Sequence, residues 1–243
     1  MRITPLLPLL LALASPASAA SVTLTSGVDN TLYESSDGSL SNGAGLYLFA
    51  GTNGSAGGSR IMRSVVAFDL SAIPDAARVD SVELLLEAIT PMFRSSTVQV
   101  HRLTRDWGEG SSSAPSGEGG GAASTAGDAT WIHTFYAGST WTSPGGDFDP
   151  AFSDSLAVSG NGSLGFDGAQ LTGDVQGWLD DPSSNFGWLF KLDVESALAL
   201  RFGSFQGSSG PRLHVEYTLV PEPATALLLG LGLSALCASR RQR

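Results

Sequence analysis

Trp131, Tyr136 and Trp141 stand close together in a stretch that also carries Asp128, His133, Asp147 and Asp149. Flat aromatic rings offer apolar faces on which the CH face of a sugar can stack, and neighbouring polar groups can bond its hydroxyls. Tyr47 is a further aromatic candidate, and Arg94, Arg102, Arg105 and His133 are donors suited to a carboxylated sugar. Trp131, Tyr136, Trp141 and Arg102 therefore form the candidate carbohydrate-binding set. The competing expectation is that Trp131 and Trp141 pin a long loop, while Trp178 and Trp188 fill the core.

Oxygen-rich side chains gather earlier. The stretch DNTLYESSDGSLSNG places Asp29, Glu34, Asp37 and Asn42 on turns near the start of the body. Carboxylates and amide carbonyls on loops are the hard ligands that calcium takes, so these four are the candidate metal set and calcium the expected cofactor. The spaced acidic loop of an EF-hand is absent, and a solvated turn whose side chains bond their own backbone is the plain alternative. Catalysis has no comparable signature. A glycosidase needs two carboxylates set across one bond, and nothing singles out a pair among 23 acidic residues. His101, His133 and His214 stand in no motif, and no nucleophile elbow, zinc helix or phosphate loop occurs. The chain reads as a nonenzyme.

Short β-type runs separated by Gly, Ser, Asn and Pro must position these groups. In MRSVVAFDLS, Val65 and Ala67 share one face while Val66, Phe68 and Leu70 share the other, the pattern of a strand covered on both sides. VDSVELLLEAI alternates Val82, Leu84, Leu86 and Ala88 against Glu83, Leu85 and Glu87, a half-buried strand. TVQVHRLT sets Val98, Val100 and Arg102 against Gln99, His101 and Leu103, and PRLHVEYTL aligns Leu213, Val215 and Tyr217. LTGDVQGWLDDP has helical spacing at Leu171, Val175, Trp178 and Leu179, with Thr172 as the expected cap and Pro182 as the stop. The architecture expected is all-β, a jelly-roll-like β-sandwich with one short crossing helix. The Gly/Ser/Ala-rich stretch over 108–127 reads as a long loop that buries little.

The two ends are different in kind. Arg2, an apolar stretch and Ala17-Ser18-Ala19 make a secretory leader, residues 1–19, cut by signal peptidase before Ala20, with Ser21 as the alternative start. Pro5, Pro8 and Pro16 argue against an ordinary buried helix there. At the other end, residues 220–243 join Pro221-Glu222-Pro223, an apolar run and the cluster Arg240, Arg241 and Arg243. The run gives about 24 Å of helix, short of the roughly 30 Å hydrocarbon core, so a single provisional span is expected. The arginines hold its far end on the cytoplasmic side, leaving the body, residues 20–219, outside. Setting aside Arg2, the three terminal arginines and Glu222, that body keeps nine basic against 22 acidic residues, a net charge of about −13. Such a surface repels nucleic acid. The single cysteine, Cys237, lies in the tail, so no disulfide can hold the body together.

The tripeptide, apolar run and arginine end together resemble the PEP-CTERM sorting signal of Gram-negative bacteria. That resemblance implies an integral-membrane exosortase as partner, transient anchoring in the inner membrane, and a destination at the cell surface or in the extracellular matrix. A second resemblance covers the body. RSVVAFDLSAIP, the DWGEGS turn, DVQGW and the closing PRLHVEYT strand are similar, in order, to the DNRLRE-type domain related to carbohydrate-binding module family 96. The family's late Ser-Arg-Glu is replaced here by Ser204-Phe205-Gln206. The resemblance implies a noncatalytic β module that contacts exopolysaccharide, since characterised relatives bind acidic polysaccharide. A purely structural matrix protein and a polysaccharide-degrading enzyme are the alternatives.

Overall fold

The computed structural model describes residues 18–89, 96–115 and 117–219. The expected leader up to residue 17, Arg94, and the sorting segment 220–243 lie outside the described residues. Among the described residues no helix is long and apolar enough to cross a membrane.

The body is an all-β sandwich with one α-helix. Its strands are β1 (Ser18–Thr25), β2 (Val28–Tyr33), β3 (Leu40–Ser41), β4 (Tyr47–Thr52), β5 (Ile61–Ala67), β6 (Ala77–Ala88) and β7 (Ser96–Leu103). There follow β8 (Ala122–Ala123), β9 (Phe148–Val158), β10 (Gly162–Phe166), β11 (Trp188–Leu192), β12 (Leu200–Gly203) and β13 (Arg212–Leu219). The hydrogen-bonded order runs β1-β13-β6-β12-β4-β5-β11-β7-β9, with β10 also on β6 and β2 also on β5. β4 joins the two faces. Its first part pairs with β12, Tyr47 opposite Gly203 through Ala50 opposite Leu200, and then Gly51 and Thr52 pair with Met62 and Ile61 of β5. The turn between the two partners falls on Gly51, at φ +115°, a conformation L side chains rarely adopt.

The alternation read from sequence explains which side faces in. Val82, Leu84, Leu86 and Ala88 of β6, Val98 and Val100 of β7, and Leu213 and Val215 of β13 all enter the main core. β5 is covered on both faces as its sequence predicts. Val66 and Phe68 join the main core, whereas Val65 faces a second cluster with Leu32, Leu103, Leu189 and three tryptophans. The helix, α1 (Ala169–Asp180), buries Leu171, Val175, Trp178 and Leu179 against this core, and Trp178 meets Trp188 with ring centroids 4.5 Å apart. Asp174 is buried with them. Its carboxylate accepts from Ser153 Oγ, from Trp188 Nε1 at 2.9 Å and from Gln170 Nε2 at 3.2 Å, which satisfies an otherwise costly group.

Two expectations need correction. Thr172 does not cap the helix: α1 begins three residues earlier, after Gly168, with no side-chain cap. The Asp154 carboxylate accepts from the Gly168 N–H at 2.9 Å, so the entry is fixed from β9 instead. Nor is the Gly/Ser/Ala-rich stretch a loop that buries little. Ser112, Ala114 and Glu118 are buried, and Ala122–Ala123 pairs with Leu40–Ser41 as a small separate sheet. Small residues allow this close approach. A methyl group at Gly43 would lie 1.8 Å from the Glu109 carbonyl oxygen.

Candidate ligand-binding face

The segment after β7 closes over the outer side of the β5/β11/β7 sheet, and this decides the fate of the aromatic candidates. Trp107, Trp131 and Trp141 are all buried in the second cluster. Trp131 keeps 8 % of its surface and Trp141 5 %, which leaves no free ring face for a sugar. Trp141 Nε1 donates to the Thr130 carbonyl at 2.8 Å, and Trp131 carries the Arg63 guanidinium 4.8 Å from its ring centroid. The same guanidinium bonds Glu195 in two places, at 2.6 and 2.9 Å, and the Gly145 carbonyl at 2.8 Å. These tryptophans hold the segment down.

Tyr136 and Arg102 do not join them in a site. Tyr136 is half-buried, edge-on to His133 at 5.1 Å. Arg102 lies on the opposite side of β7 from Leu103, near Gly177 of α1. His133 Nδ1 is 3.1 Å from Thr130 Oγ1, and Arg105 is engaged by Asp147 and the Thr140 carbonyl. The four-residue carbohydrate set is therefore dispersed, because alternation along β7 and burial of the tryptophans send its members to different surfaces.

The calcium candidates are likewise split between two places. Asp29 and Asn42 are buried in a polar layer beneath the covering segment. Asn42 Oδ1 accepts from Ala114 N at 2.8 Å, and its amide donates to Glu118 at 2.9 Å. The Glu118 carboxylate also accepts from the N–H groups of Leu46 and Tyr47. Glu34 and Asp37 border a separate depression with Arg60; Glu34 accepts from Ile61 N and Asp37 from Ser39 N. Among the described residues no three acidic, histidine or cysteine side chains converge. The four therefore do not converge on one point: Asp29 and Asn42 lie in the buried layer, and Glu34 and Asp37 border the separate depression.

Asp29 is the unusual member. One carboxylate oxygen accepts from Phe205 N at 2.6 Å, while the other, Oδ1, is buried without a partner. Glu109 lies beside it, accepting from Asp29 N at 3.2 Å and from Gln206 Nε2 at 2.8 Å. Burial first, and the Glu109 charge after it, push the Asp29 carboxyl up to about 7, against the pull of the Phe205 N–H.

Tyr47 and Arg201, both half-buried, form a different aromatic–basic pair. The Arg201 guanidinium lies over the Tyr47 ring, 4.3 Å from its centroid. Arg201 Nε is buried without a hydrogen-bond partner, and among the described residues no carboxylate lies within 4.0 Å of this guanidinium. On one side of the pair is a depression of about 430 Å³ walled by Phe49, Met62, Leu198 and Arg201. On the other is one of about 550 Å³ lined by Leu46, Tyr47, Glu87, Asn161 and Gln206. Leu46, Leu198 and Phe205 are exposed along this face. Tyr47 was legible as an aromatic candidate. Arg201 was not, although a single arginine between Leu200 and Phe202 in an acidic chain was a usable signal.

A family model for the PEP-CTERM protein-sorting motif matches residues 219–242. No curated protein matches the chain.

Proposed function

We infer that the chain, whose residues 219–242 match the PEP-CTERM protein-sorting motif, is an exported protein processed by exosortase and directed through the membrane toward the cell surface. We propose that its body is a noncatalytic module of the cell envelope or extracellular matrix that binds exopolysaccharide across the Tyr47–Arg201 face. The observation that carries the ligand class is the unpaired, partly desolvated guanidinium held over a tyrosine ring between two depressions. In a body of net charge about −13, an arginine with no acidic partner is free to take a carboxylate from outside. Leu198, exposed at the rim of the smaller depression, offers an apolar surface to a pyranose ring. The similarity to the DNRLRE-type domain, on the residues quoted above, points the same way.

Affinity electrophoresis of residues 20–219 through gels containing uronate-rich or neutral polysaccharide tests this reading. The uronate-rich gel should retard the protein more strongly. Arg201→Gln should weaken that retention by roughly 10- to 100-fold, the worth of a lost charge-assisted hydrogen bond, with little change in melting temperature. Tyr47→Ala should weaken it as well. Free migration through every polysaccharide would leave only the purely structural alternative, and release of shorter oligosaccharides would instead establish an enzyme.

A further inference from the structure

The hydrogen-bonded order of strands ends on β1 at one side and β9 at the other, and among the described residues no strand pairs with the outer edge of either. An open edge presents N–H and C=O groups ready to take another strand, and soluble proteins blunt it with charges, proline or bulges. β9 has all three: Asp149 and Asp154, Pro150, and register shifts against β7 between Val100 and Leu103. β1 has none of them. It carries no charged residue and no proline, and its register on β13 is unbroken, from Ser18 opposite Leu219 to Thr25 opposite Arg212.

The two faces of β1 differ in the same sense as the rest of the sheet. Val22 and Leu24 pack against the main core beside Val215 and Leu213, yet both are only half-buried, as befits the last strand on that side. Ser21, Thr23 and Thr25 are exposed on the other face, beside Glu216, His214 and Arg212. Ser21 to Thr25 are present whether the processed chain starts at Ala20 or at Ser21.

We propose that the body pairs with a second copy of itself, β1 against β1 and antiparallel, about a two-fold axis at Thr23. Thr23 then stands opposite the partner's Thr23, Val22 opposite the partner's Leu24, and Ser21 opposite the partner's Thr25. Strands in a sheet lie about 4.8 Å apart, so the side-chain rows continue across both bodies. Each inner row reads Leu213, Leu24, the partner's Val22 and the partner's Val215, and is apolar throughout. Each outer row runs from Arg212 through Thr25 and the partner's Ser21 to the partner's Glu216, so the charges at its ends are opposite. Shifting the axis to Val22 or to Leu24 would set Leu24 opposite Ala20 or Val22 opposite Ser26, and the pairing of two large apolar residues is lost. Charge selects the same edge. A body of net charge about −13 resists self-association over most of its surface, and here two copies meet with no acidic residue on either pairing strand. The contact is isologous, as a closed dimer requires, and it joins two sheets into one.

Every residue of the three core clusters lies within 20–219, so this body is the unit tested. Sedimentation equilibrium should show a monomer–dimer equilibrium that moves to dimer as concentration rises. Thr23→Asp and Thr23→Lys change an exposed side chain, and each sets like charges directly opposite one another across the axis. Each should raise the dissociation constant roughly tenfold or more, with the circular dichroism spectrum unchanged. An equimolar mixture of the two variants should recover a dimer of mixed composition, because Asp then faces Lys. A natural body that stays monomeric at its highest soluble concentration would overturn the proposal. So would charged variants that dimerise as well as the natural chain does, since the contact then lies elsewhere, and so would a mixture that stays monomeric, since Thr23 then does not face its own copy.

Discussion

Replacing Trp141 by alanine is expected to lower the unfolding free energy by about 3–5 kcal/mol. The side chain is 5 % exposed, packs in the second cluster with Leu32, Val65, Leu103 and Leu189, and donates its indole N–H to the Thr130 carbonyl. Truncation opens a cavity under the covering segment and strands the Thr130 carbonyl at once. Trp131→Ala should cost a similar amount, because the ring also supports Arg63, whose guanidinium ties Glu195 and the Gly145 carbonyl across the outer face. Urea titrations of the purified body read both effects. A sugar-stacking tryptophan would behave in the opposite way, with binding lost and the unfolding midpoint unmoved. An unchanged midpoint for Trp141→Ala would mean that the segment does not pack against the sheet.

These tryptophans show why part of the chain was legible and part was not. Alternation is a local property, so β5, β6 and the ladder face of β13 could be assigned from Val, Leu and Glu spacing before any fold was known. Four residues of α1 followed for the same reason, although its start did not, since Asp154 from β9 supplies the partner at Gly168. Which face of an aromatic ring meets solvent is a tertiary property. Composition placed Trp131 and Trp141 among Gly, Ser and Asp, surroundings typical of a surface loop, yet the small residues are what let the segment settle within contact distance of the sheet. Arg201 was missed for a related reason. Its distinction is the lack of an acidic partner, and no sequence pattern records a partner that is absent. The β1–β13 ladder joins residues about 200 positions apart and is equally invisible to local reading.

Asp29 supplies the second large effect, and it depends on pH. In the folded body its carboxyl titrates at about 7, against 3.8 for the ordinary group, because burial disfavours the charge and Glu109 repels it. Between these values the folded chain holds a proton that the unfolded chain has released. Stability contributed at this site is therefore full below about pH 4, falls as pH rises, and is lost above about pH 7. Three pH units at one site correspond to on the order of 4 kcal/mol. His101 opposes part of this. Its folded pKa is lowered, chiefly by burial, so its own contribution rises with pH toward the ordinary histidine value. Asp37 and Asp69 have lowered pKa values, and they act below the window. The comparison that isolates Asp29 is with Asp29→Asn, whose carbonyl can still accept from Phe205 N and whose amide can donate toward Glu109. The variant should match the natural chain near pH 4 and exceed it by roughly 2–4 kcal/mol at pH 8. Unfolding curves that stay parallel from pH 4 to 8 would show that the buried carboxyl is ionised throughout, with some other group supplying the missing partner of Oδ1.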